Sequence, residues 1–218
     1  VYVGTLLFFC LLYLCSGALA GHTLVGHGNA GSLFALPLVF GLFLRALKQK
    51  SQRLLRPAAI GCGVLLALLA YSGASHFLVH FLLFLALYSA VLFGLAPEKR
   101  SSITASFTCV CVTFFLLAAY KIVPMVDIYA GYSADYIEAY ANLPEVARQF
   151  LPFTAWQSDE HEFNSYVGIV GAGMILIALF CWNRRTAPLL VVGLIFLLMT
   201  WMPIARPLQQ NVPIFESQ

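Results

Sequence analysis

The densest polar cluster in this 218-residue chain is Asp159-Glu160-His161-Glu162, set between Trp156 and Phe163. Crowded carboxylates raise one another's pKa, so the group can supply a general base or oxygen ligands for a divalent cation. His161 can carry a proton near neutral pH. The plainer reading is a solvated loop tip, or the acidic start of a helix, where the dipole favours Asp and Glu. The spacing matches no metal motif such as H-E-x-x-H, so no metal is assigned. Lys121 is a second candidate. It follows a long apolar run and opens Lys121-Ile122-Val123-Pro124. A cation at a membrane boundary can bind a lipid phosphate as a compact point charge. The alternative is a snorkelling lysine that marks a helix end. Arg148 can likewise meet phosphate, or pair with Glu145 at little gain.

Histidines offer a different chemistry. His22 and His27 lie in the glycine-rich segment Gly21–Gly31. His76 and His80 are four apart and share one face of a helix. Such residues can ligate haem or a chlorophyll-type pigment, with His80 and His22 the candidates. The ordinary alternative is a hydrogen-bonded structural histidine. The six cysteines all fall in apolar runs. Cys109 and Cys111, two apart, point to different sides of a helix, which argues against a disulfide or a zinc site. They read as small apolar residues. Cofactors remain open.

These residues need a scaffold, and composition limits its kind. Hydrophobic residues make up 61% of the chain and charged residues 10%. An average soluble domain is about 45–50% apolar and about 25% charged. A water-soluble globule of this size leaves about 30% of its area exposed and cannot hide so much apolar surface. Disorder requires the opposite composition. The net charge of +3 comes from scattered residues, so nucleic acid is not an expected partner. What remains is an all-α, polytopic transmembrane helix bundle, with membrane lipid as its partner.

A bilayer core of about 30 Å needs about 20 apolar residues per helix. Seven runs qualify, some of them short: Val1–Ala20, Ser32–Leu47, Pro57–Ser72, Phe77–Leu95, Ile103–Ala119, Ser165–Trp182 and Ala187–Met202. The tight connections Gly73–His76 and Asn183–Thr186 make their flanking spans antiparallel. If all seven cross, one side holds Arg45, Lys48, Lys50, Arg53, Arg56, Lys99, Arg100, Arg184 and Arg185, with Glu98 as its single acid. The other side holds the remaining eight acids with Lys121, Arg148 and Arg206. The positive-inside rule makes the first side cytoplasmic, with the N-terminus in and the C-terminus out. The expected location is the bacterial inner membrane.

The outer side then carries a loop over 120–164, too long to be a mere connection. Its aromatic residues can bury area against the membrane or the bundle. Ser133–Tyr140 reads as a short helix. Asn142 can cap a second one, with Pro144 in its first turn and Glu145 three residues after the cap. Residues 1–218 read as a single transmembrane domain that includes this loop. The chain opens at Val1 inside an apolar run, and Pro213–Gln218 ends without a helix cap or charged tail. Both suggest a piece of a longer protein; a mature chain lacking its initiator Met is the alternative. Gly61, Gly63, Gly168, Gly171 and Gly173 permit close helix packing. Pro37 and Pro124 are expected to kink or end helices. No charge is expected in mid-bilayer, which weakens a transporter reading.

Three stretches together carry a family resemblance. The first is Gly26-His27-Gly28 ahead of Leu36-Pro37 and Leu44-Arg45-Ala46. The second is Lys121-Ile122-Val123-Pro124. The third is Trp156 followed by His161 to Gly168. Their order resembles bacterial multi-pass membrane proteins of the GT-C glycosyltransferase type, and Pro213-Ile214-Phe215 looks like an outer segment of such proteins. The resemblance implies transfer of a sugar from a polyprenyl-phosphate donor at the outer face. Lys121 would then sit on the phosphate side, and His161 and Glu162 in the loop that approaches substrate. The family's base is an acid in the first outer loop, yet no acid precedes Glu98 here. The catalytic residues are therefore unknown. The alternatives are a non-catalytic subunit among other membrane subunits, energy-transducing or photosynthetic, and a transporter.

Overall fold

The computed structural model describes residues 35–49, 56–72, 75–129, 183 and 186–199, with a few single positions elsewhere. Their regular structure is helical, without strands. The chain divides into two compact units: 32–133 with residue 217, and 1–31 with 134–216 and residue 218.

The first unit holds α1 (Leu36–Leu47), α2 (Pro57–Tyr71), α3 (Ser75–Leu95), a 3-10 turn (Pro97–Lys99) and α4 (Arg100–Tyr129). Proline sets several starts. Pro37 and Pro57 occupy first-turn positions of α1 and α2, where the missing N–H is no loss. Arg56 and Ala96, each before a proline, leave the helical region, with φ of −112° and −131°. The Cδ of a following proline forces that choice.

Two stretches, Leu78–Leu95 and Pro97–Pro124, are long and apolar enough to cross a membrane. Only 22% and 28% of those windows is buried within the protein, unlike the core helix of a soluble fold. α1 and α2 are shorter apolar helices. Twelve residues of α1 rise only about 18 Å. Val1–Ala20 lies outside the described residues, as does Ser165–Trp182 except for Ile177, Leu179 and Phe180.

α2 is the central helix. Ala58, Ala59, Cys62, Gly63, Leu66, Ala67, Leu69 and Ala70 are all buried. Its main partner is α4, then α1. α4 meets it with a stripe of Ile103, Ser106, Val110, Phe114 and Ala118, spaced three or four apart. The backbones come closest at Gly63. A Cβ there would stand 2.6 Å from the Thr113 Cβ and 2.8 Å from the Val110 carbonyl oxygen. Gly61 has only an ordinary contact, 3.6 Å from Leu42 Cδ1. The small-residue reading therefore holds most strongly for Gly63. An edge-to-face cluster joins α1 to α3, with Phe40 5.2 Å from both Phe84 and Tyr88.

Contacts along α2 fix the chain directions. Arg56 at its start meets Ser102 and Ser106; Tyr71 at its end meets Leu117. α2 and α4 are thus parallel. The end of α1 packs at the start of α2, so α1 runs opposite to both. The C-terminal end of α1 and the starts of α2 and α4 share one end of the unit. Arg45 and Lys48 close α1, Arg56 precedes α2, Lys99 ends the 3-10 turn and Arg100 begins α4. Among the described residues, Arg45, Lys48, Arg56, Lys99 and Arg100 therefore share that end, while Lys121 lies at the other.

The expected boundary at Ala119 is overturned. α4 runs ten residues further, to Tyr129, with Pro124 in its interior. The first part of the expected 120–164 loop is therefore helix. Pro124 cannot donate to the Tyr120 carbonyl, which marks a point of bending rather than a stop.

In the second unit, α5 spans Ala187–Met199 and buries Ala187, Pro188 and Val192. A reciprocal cap precedes it. The Thr186 N–H donates to Asn183 Oδ1 (3.2 Å) and the Asn183 N–H donates to Thr186 Oγ1 (3.1 Å). This pairing satisfies two backbone donors at a helix start.

Candidate functional site

Two cations hold the ends of the α2–α4 pair. At the far end, Tyr71 closes α2 and its hydroxyl donates to the Leu117 carbonyl (3.0 Å). One turn on, Lys121 Nζ donates to the Tyr71 carbonyl (3.4 Å) and lies 5.9 Å from the Tyr71 ring centroid. A cation at a helix C-terminus meets the negative end of the dipole. Lys121 is half-buried and lies within α4, not in a loop after it. An ammonium carries three protons, so this contact leaves donors for an anion.

At the basic end, Arg56 is 1% exposed. Its Nη1 donates toward Ser106 Oγ (2.7 Å), Ser102 Oγ (3.0 Å), the Ser102 carbonyl (3.2 Å) and the Ala46 carbonyl (3.2 Å). Two protons are shared among four acceptors on α1 and α4. Ser102 Oγ in turn donates to the Leu47 carbonyl (3.0 Å). One guanidinium thus ties α1, α2 and α4 together. Its Nε and Nη2 are buried without a partner, as is Gln49 Oε1. Beside this clamp, Arg100 donates from Nε to the Phe93 carbonyl (3.2 Å) and covers the Phe93 ring at 4.9 Å.

Arg56 was not singled out by the sequence. It reads there as one of the nine bases on the cytoplasmic side. The available signal was its place directly before Pro57 and an apolar run, with Ser102 and Ser106 four apart at another helix start. His80 lies on α3 and is exposed. Arg148, Asp159, Glu160, His161, Glu162 and His22 lie outside the described residues. Among the described residues no group of three metal-ligating side chains occurs. Among the described residues Cys62, Cys109 and Cys111 are free thiols, Cys62 in the core and the other two partly exposed. No protein-family model, curated protein or solved structure matches the chain.

Proposed function

We propose that this chain is a multi-pass integral membrane protein of the GT-C glycosyltransferase type. In this reading it crosses the bilayer seven times, its basic helix ends face the cytoplasm, and Lys121 contacts the phosphate of a lipid-linked sugar at the outer face. The single observation in its favour is the seating of Lys121. Its ammonium is held at the end of α2 by the Tyr71 carbonyl, at the end of the unit opposite the basic cluster. A fixed cation beside a departing polyprenyl phosphate stabilises the negative charge that develops as the sugar leaves. Asp159, Glu160, His161 and Glu162 are the residues proposed to approach the substrate, and Arg148 is a second phosphate contact.

The test is binding of a polyprenyl phosphate to the purified chain in nanodiscs. Lys121→Ala is expected to weaken binding by about tenfold, the loss of one charge-assisted contact, and Lys121→Arg to keep most of it. Binding unchanged in Lys121→Ala removes the phosphate role. The orientation has its own test. Labelling that reaches Trp156 and the Arg184-Arg185 connection from one and the same side overturns the seven-span topology. A second reading, an accessory subunit of a membrane assembly, draws on the exposed side of α4, where Val112, Phe115, Leu116 and Tyr120 stand open. Acyl chains of lipid cover such a face equally well, so this reading ranks second.

A further inference from the structure

Arg56 has an unequal hydrogen-bond economy. All of its contacts fall on Nη1, while Nε and Nη2 have none. The N–H bonds of Nε and Nη2 point in parallel along one edge of the guanidinium. That edge is the fork that receives two oxygens of one oxyanion. A buried cation with an empty fork is strongly unfavourable. The acceptors it already has are neutral, and no carboxylate is among them. Glu98, the one acid at this end of the unit, is exposed on its 3-10 turn. Under the seven-span reading the other eight carboxylates lie across the bilayer. Gln49, whose backbone carbonyl lies 3.5 Å from Ser102 Oγ, also has an orphaned side-chain Oε1. Arg45 and Lys48, on the last turn of α1, raise the local positive potential.

The geometry points to a phosphate-binding site at the basic end of the helix unit, in which the Nε–Nη2 edge of Arg56 takes two oxygens of a phosphate group. Nη1 stays with Ser102, Ser106 and Ala46, so the same side chain joins three helices and reads the anion. The source is either a phospholipid headgroup of the basic leaflet or free phosphate. This site is distinct from Lys121, which closes the other end of α2. The headgroup source rests on the membrane reading above; the phosphate chemistry does not.

The full chain in detergent is titrated with short-chain phosphatidylglycerol and, separately, with inorganic phosphate, following the unfolding midpoint and the arginine Nε–H resonances. The chain has eight arginines, and Arg56 is the buried one among those described. A saturating rise in midpoint, with one protected Nε–H shifting downfield, is the expected result. A response to phosphatidylglycerol alone assigns the headgroup, and a response to inorganic phosphate assigns free phosphate. Arg56→Lys keeps the charge and loses the fork, so its affinity should fall about tenfold. The wild-type Nε–H shift decides the matter should that variant not fold. Two results overturn the site: no Nε–H shift with either ligand, or equal binding in a folded Arg56→Lys chain. Extraction of the chain from membranes by alkaline carbonate sinks the membrane reading separately and leaves the phosphate titration standing.

Discussion

The two ends of the α2–α4 pair solve one problem in opposite ways. Each must satisfy backbone carbonyls where a helix stops, and each uses a cation. At the Tyr71 end the cation is a half-buried lysine with one backbone contact and a ring beneath it. At the other end it is an arginine shut away from water and shared among three helices. A charge beside solvent can be lost at little cost. A buried one cannot, because its partners are left unpaired in a dry place. At the first end the cation can be lost cheaply; at the second it holds three helices through one nitrogen and leaves the other edge of its guanidinium unpartnered.

The comparison breaks hardest at Arg56. Arg56→Ala strands Ser106 Oγ and the Ala46 carbonyl and should destabilise the unit by about 3 kcal/mol, measured as a drop in unfolding midpoint in detergent. An unchanged midpoint would mean that the clamp holds nothing. Next comes the waist between the two ends. Gly63→Ala forces its Cβ against the Thr113 Cβ and the Val110 oxygen, neither at the far end of a flexible side chain. The expected loss is about 1–3 kcal/mol. Gly61→Ala, with a single contact at 3.6 Å, should be neutral or slightly stabilising, since alanine favours the helix. Equal effects at the two glycines would show that α2 and α4 approach less closely than described. Tyr71→Phe removes one hydrogen bond to Leu117 and should lose about 1 kcal/mol in the same assay. Lys121→Ala should cost little stability, below about 1 kcal/mol. A larger loss there would make the two ends alike and turn Lys121 into a structural clamp.

Sequence pattern located the helices well where it had only to follow apolar runs. α2 and α3 begin and end within two residues of expectation, because Pro57 and the 73–76 connection punctuate them. At Pro124 it leaves two outcomes open, a kink or an end, and the helix continues through it. A proline bars one hydrogen bond, and an apolar helix tolerates that within its length. The site was half legible. Lys121 stands out as a lone cation at the end of an apolar run, but its own helix continues past it, and the helix end it meets is that of α2. Arg56 does not stand out, because its partners Ser102 and Ser106 are 46 and 50 residues away. Helical periodicity says which face a residue shares with its neighbours along the chain. It says nothing about which distant helix will present two hydroxyls to it.

α2 and α4 run side by side and are fastened at the base by Arg56, at the waist by the Gly63 notch and at the top by Tyr71. Fastened at three heights, they cannot slide along one another without breaking at least one attachment. They behave as one stiff beam. Bending is relegated to the part of α4 that outruns α2, beyond Lys121, where Pro124 interrupts the ladder.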